Sequence, residues 1–168
     1  MKKLSKIALV FAFMIISVFS LVACGTPGQK EFTSSAGLKI TLTDEFYEKD
    51  LASQTMYLES KKVIFVALKE EFTNLSVVLT NPSSATKEQY AKAVQRNNHL
   101  SCEIINDQYN GLLYFTYEKS VSGKDFFYFA VIEKGSDAFW LCQFACAVSE
   151  KDNYTPTFIE YAKTIQVS

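Results

Sequence analysis

The residues in this 168-residue chain whose types could do chemistry are few: four cysteines, one histidine and scattered acid pairs. Cys142 and Cys146 bracket "CQFAC", a wider spacing than the two-residue gap of zinc and thioredoxin motifs. On a strand they share one face but lie about 13 Å apart, beyond the roughly 7 Å that a disulfide spans. Cysteine also packs as a small hydrophobe, so both are expected as buried thiols; a disulfide involving Cys102 and a metal site are the alternatives. His99 stands close to Cys102, and a cysteine–histidine nucleophile needs such a pair. The sequence supplies no third group to orient it, and a lone histidine at a helix end usually caps the last carbonyls or is solvated. A zinc hydrolase would need a second histidine. Glu70-Glu71 and Asp44-Glu45 read as solvated acids. Gly123-Lys124 lacks the upstream glycines of a phosphate loop, and there is no Gly-x-Ser-x-Gly elbow. The chain is therefore expected not to be an enzyme and to use no cofactor or metal.

Cys24 has a different setting. Lys2, Lys3 and Lys6 precede a stretch from Ile7 to Ala23 without a single charge, the basic head and apolar run of a signal peptide. The run is also long enough to span a bilayer, so its ending decides. Leu21-Val22-Ala23-Cys24, followed by Gly25, resembles the lipobox of bacterial lipoprotein precursors. In that family a diacylglycerol is joined to the cysteine sulfur and a peptidase cuts just before it. The resemblance makes residues 1–23 a signal peptide and Cys24 the lipid attachment site. Two acyl chains meet the two-signal requirement for stable anchoring, at roughly 0.8 kcal/mol per buried CH₂.

Loss of Lys2, Lys3 and Lys6 from 17 basic residues leaves 14 against 18 acidic ones, a net charge of −4. Nucleic-acid binding needs a basic face, so that class of partner is not expected. Neither is a polybasic contact with acidic lipids. Expected partners are the membrane, through the lipid, and a cell-envelope protein.

Residues 24–35, rich in Gly, Thr, Pro, Gln and Ser, read as a lipidated tether with an r.m.s. reach of about 20 Å. Residues 36–168 read as one domain. "LKITL" alternates as a half-buried strand. Lys61-Lys62 separates "MYLES" from "VIFVALK", whose Val63–Leu68 core is apolar on both faces and thus a central strand. "EEFTNLSVVLT" admits a strand over 76–80 or a helical turn, and "DEFYEKD" suggests another helical turn. Thr86-Lys-Glu-Gln89 fits a capping box, opening a helix that buries Tyr90, Ala91 and Val94. Asn110-Gly111, Ser122-Gly123 and Gly135-Ser136-Asp137 punctuate a three-stranded meander. Thr155-Pro156 predicts a last helix with proline at its first position and a stripe of Phe158, Tyr161, Ala162 and Ile165.

The order of elements predicts an α+β domain, an antiparallel sheet with helices packed on it. It resembles the PsbP-like fold group, and still more the small bacterial lipoproteins of that group. The resemblance runs through "LKITLTDEFYEK", "TKEQYAKAV" and "GLLYFTYEK…KDFFYFAVIEKGSDAFWLCQFAC". It implies a fold without implying a catalytic signature.

Aromatic residues reach 14% of the chain and crowd the meander on both faces. Trp140 is expected to be buried in a central strand. Coverage by helices on both sides accounts for most of these rings; the sharper expectation is a partly open surface where Tyr114, Tyr117 and Tyr128 bind a partner. Taken together, the sequence predicts a membrane-anchored extracytoplasmic lipoprotein with a non-catalytic binding or scaffolding role. A ligand-binding module for a small molecule or peptide is the alternative, distinguished by a deep pocket with convergent polar groups.

Overall fold

A computed structural model describes residues 27–51 and 53–168. Cys24 and the segment expected to be a signal peptide lie outside the described residues. The chain forms β1 (Gln29–Thr33), β2 (Leu38–Thr43), β3 (Tyr47–Glu48), β4 (Met56–Glu59), β5 (Ile64–Glu71), α1 (Lys87–Asn97), β6 (Ile104–Asp107), β7 (Leu112–Val121), β8 (Lys124–Lys134), β9 (Ala138–Ala147), α2 (Lys151–Ala162) and β10 (Gln166–Val167). Seven strands build an antiparallel sheet in the order β3-β4-β5-β9-β8-β7-β6, and a second sheet takes β1-β2-β10. The expected α+β architecture is correct, with two sheets where one was anticipated.

Alternation along the strands divides the core in two. Phe65, Phe129, Trp140, Cys142, Phe144 and Cys146 face β2 and α2, joined by Leu38, Ile40, Leu42 and Phe158. Phe115, Tyr117, Tyr128, Phe139 and Leu141 point the other way, toward Tyr90, Ala91 and Val94 of α1. Both faces of β5 and β9 are consequently covered, and Phe65, Ala67, Trp140 and Cys142 are fully buried.

The turns explain the register. Ser122 and Gly123 have φ of 51° and 76°, the pair of positive values that matches a two-residue hairpin to the twist of its strands. Asp107 accepts from the backbone N–H groups of Tyr109 and Asn110 and so shapes the β6–β7 reversal. At α1 the Thr86 hydroxyl accepts from the Gln89 N–H while the Gln89 side chain accepts from the Thr86 N–H, which completes the capping box.

Three local expectations are corrected and one open alternative is decided. Residues 29–33, assigned to the tether, are β1, paired with β2 from Gln29↔Thr43 to Thr33↔Lys39. Only Phe32 of β1 is buried, so backbone pairing made an edge strand that side-chain pattern does not reveal. Of the two alternatives for "EEFTNLSVVLT", the strand over 76–80 fails and the helical turn holds: β5 ends at Glu71, and a 3-10 turn (Phe72–Asn74) follows. The "DEFYEKD" stretch gives the edge strand β3, paired with β4, instead of a helical turn. Pro156 lies inside α2 rather than at its start. That helix begins straight after the 3-10 turn at the end of β9, which lets Tyr154 stack on Phe158 at 5.7 Å; the Thr155 hydroxyl donates to the Lys151 carbonyl at 2.7 Å. Tertiary packing outweighs the backbone hydrogen bond that proline cannot make.

Candidate functional site

Strand alternation separates the three tyrosines expected to form a binding surface. Tyr114 is half-buried on the α2 side, stacked on Phe129 at 4.4 Å. Tyr117 and Tyr128 pair directly across β7 and β8 on the α1 side, stacked at 4.8 Å with 6° between their planes. They are 8% and 2% exposed, so Tyr114, Tyr117 and Tyr128 are not one exposed patch. The reason is the two-residue period: 114 and 117 differ by an odd number and must point apart. Gln143 donates to the Tyr117 hydroxyl at 2.8 Å. Burial pushes the Tyr117 phenol well up and the Tyr128 phenol to about 12, so both stay neutral.

The cysteines follow the strand reading. Cys142 and Cys146 share the α2-side face, and they and Cys102 are free thiols. Burial raises the Cys142 thiol strongly, and burial followed by the charge of Glu150 raises Cys146 to about 11. Neither is a thiolate near neutral pH, and the thiolate is the reactive form. Cys102, half-buried, accepts at sulfur from Gln95 at 3.2 Å, and burial holds its thiol up as well. His99 is exposed, with a φ of 55°, just beyond the Asn98 cap of α1.

Glu70 was missed. Read as a solvated acid, it points instead beneath α1, half-buried, and accepts a hydrogen bond from the fully buried Tyr90 hydroxyl. Glu71 next to it is exposed, as expected. Burial keeps the Glu70 carboxyl above its ordinary value against the opposing Tyr90 bond. Burial, with the neighbouring Glu70 charge, raises the Tyr90 phenol in turn. The pair lines a cavity of ≈ 30 Å³ shared with Leu68, Val94, Asn98 and Leu141. That volume suits one or two waters, far below the roughly 300 Å³ at which small-molecule pockets begin. The signal in the sequence was the i, i+2 spacing of Leu68 and Glu70 on one strand face; the partner twenty residues away was not visible.

A second polar cluster sits at the β3–β4 edge. Glu59 accepts from Tyr47 at 2.7 Å, Lys49 at 2.8 Å and Tyr57 at 3.0 Å. Burial alone would raise its carboxyl, but the three donors outweigh it and hold the group below its ordinary value. A carboxylate held by three donors, one of them charged, is a structural clasp between β3 and β4. Among the described residues no group of three or more His, Cys, Asp or Glu side chains could hold a metal ion, and no helix is long and apolar enough to cross a membrane.

No protein-family profile and no curated protein matches the sequence. Solved structures do match the fold. The cyanobacterial PsbP (CyanoP) from Synechocystis sp. PCC 6803 aligns with a TM-score of 0.50 at 10% identity, over 90% of this chain and 99% of that one. The Ran-binding protein Mog1p from Saccharomyces cerevisiae aligns with a TM-score of 0.53 at 8% identity, over 84% and 96%. A Bacteroides thetaiotaomicron VPI-5482 protein gives a TM-score of 0.53 at 13% identity, over 85% of this chain and 49% of that one. The chain thus has the PsbP-like α+β fold, and at these identities the likeness concerns fold alone.

Proposed function

We propose that this protein is a membrane-anchored extracytoplasmic lipoprotein with a non-catalytic binding or scaffolding role, held by a diacylglycerol on Cys24. The observation that carries the reading is a register in sequence. A basic head, an uncharged run and Leu21-Val22-Ala23-Cys24 come in order, directly before a domain already tied at Gly28, whose carbonyl accepts from the Asp44 N–H at 2.8 Å. The polar groups of the domain favour a scaffold: Glu70 is held by Tyr90, and Glu59 by Tyr47, Lys49 and Tyr57. The same fold serves a Ran-binding protein in yeast, so a binding role is within its range, here toward a cell-envelope partner.

Radioactive palmitate fed to cells expressing the full chain tests the anchor. Wild type is expected to be labelled and to fractionate with membranes, while Cys24→Ala is unlabelled and is released or left unprocessed. Equal labelling of the two proteins would overturn the reading.

A further inference from the structure

The fold takes hold of the chain much closer to Cys24 than composition implies. Gly28 is already bonded to Asp44, and β1 runs from Gln29. Three residues, Gly25 to Pro27, separate Cys24 from Gly28, and the four steps of a fully extended chain give at most about 3.6 Å each, or about 14 Å in total.

The direction of β2 fixes which end of the fold this short connection meets. At the start of β2 the Ala36 carbonyl accepts from Lys69 Nζ at 3.4 Å, and Lys69 also pairs with Asp137 of the β8–β9 turn at 3.1 Å. At its far end lie Asp44 and Glu45. Tyr47, just beyond them, pairs with Glu59 at the β4–β5 turn, and Lys62 of that turn bonds Glu150 beside the start of α2 at 3.0 Å. Gly28 therefore lies at the end formed by the β4–β5 turn, the β7–β8 turn and the start of α2. The β8–β9 turn, the β6–β7 turn with Tyr109, and the Glu70 cavity belong to the opposite end.

We infer that the end carrying Gly28, Lys61, Lys62, Lys124 and Lys151 is the membrane-facing surface, laid against the phospholipid headgroups. The inference rests on the reading of Cys24 as the anchor. β2 alone spans six residues at about 3.4 Å each, about 20 Å. A connection of about 14 Å is too short to bring the opposite end to the bilayer, whereas a free twelve-residue tether would not be. Charge does not select the lipid. Lys62 and Lys151 are matched by Glu150 and Glu118, and Asp44, Glu45 and Asp125 stand at the same end. The surface fits a headgroup layer without preference for anionic lipid, and tether length sets its orientation.

Full-length lipidated protein in vesicles of phosphatidylethanolamine and phosphatidylglycerol, with a fluorescent acceptor on a headgroup, provides the test. Cys102→Ser removes the partly accessible thiol, and a donor dye is placed through Lys124→Cys or through Tyr109→Cys, whose native side chain is 96% exposed. Energy transfer is expected to be several-fold stronger from position 124, at any phosphatidylglycerol content. A flexible Gly/Ser insertion between Thr26 and Pro27 should erase the difference. Equal or reversed transfer from protein that still floats with the vesicles overturns the orientation and leaves the anchor standing. A difference that survives the insertion overturns the tether-length cause. Failure of the unmutated chain to float overturns the anchor, and the orientation with it.

Discussion

On the side of the seven-stranded sheet facing α2, rings meet rings. Phe144 lies 4.9 Å from Phe65 and 5.1 Å from Phe158, and the thiols of Cys142 and Cys146 complete an almost wholly apolar layer. On the side facing α1, rings bring oxygens with them. Tyr90 stacks on Phe139 at 4.5 Å yet donates to Glu70, and Tyr117 takes a hydrogen bond from Gln143. Polar atoms are few on the apolar side: the hydroxyls there belong to the half-buried Tyr114, Tyr154 and Tyr161, and the Trp140 indole N–H is buried without an acceptor among the described residues. The α1 side must satisfy each polar atom, and where it does so around Glu70 a water-sized cavity remains. Stability should therefore reside mainly in the first side, and sensitivity to pH in the second.

The largest expected effect lies on the apolar side. Trp140→Ala should cost about 3–5 kcal/mol through lost burial and the cavity left behind. Against a domain stability of about 5–15 kcal/mol, thermal unfolding should show a steep fall in midpoint or no folded protein. Trp140→Phe keeps most of the ring volume and removes the unpartnered N–H, so its loss should be much smaller. An unchanged midpoint for Trp140→Ala would break the claim that this side carries the core.

A smaller effect is expected beneath α1. Tyr90→Phe keeps the stacked ring and deletes only the donor to Glu70. Leaving a buried acceptor unsatisfied costs about 1–3 kcal/mol, measurable as a shift in urea midpoint with unchanged slope. A loss as large as that of Trp140→Ala would erase the contrast between the two sides.

The smallest effect is one of slope with pH. The Glu70 carboxyl is held above its ordinary value of 4.5 by burial, so the folded state keeps a proton that the unfolded chain releases. The resulting stabilisation is complete below about pH 4.5 and is lost as pH rises through the folded value. Glu70→Gln, which cannot ionise, should flatten that part of the stability profile, and Tyr117→Phe should leave it alone. An unchanged profile in Glu70→Gln would place the pH sensitivity elsewhere.

Local chemistry determined much of this protein. Turn residues punctuated the meander, with positive φ at Gly111, Ser122 and Gly123, the Thr86–Gln89 box fixed the start of α1, and alternation put Cys142 and Cys146 on one face while apolar runs made β5 and β9 central. Each depends on residues a few positions apart, whose backbone preferences and side-chain periods are written in order along the chain. Tertiary structure decided the rest. Exposed side chains hid β1 until its backbone paired with β2, and Pro156 entered the interior of α2 because the exit from β9 places Tyr154 against Phe158. The tyrosines of the meander separated onto opposite sides of the sheet and found partners there. Glu70 became a half-buried, hydrogen-bonded carboxyl only because Tyr90 arrives from another element. The physical reason is common to all four: burial and hydrogen-bond partnership depend on which distant segments come together, and composition at one position carries no record of its neighbour in space.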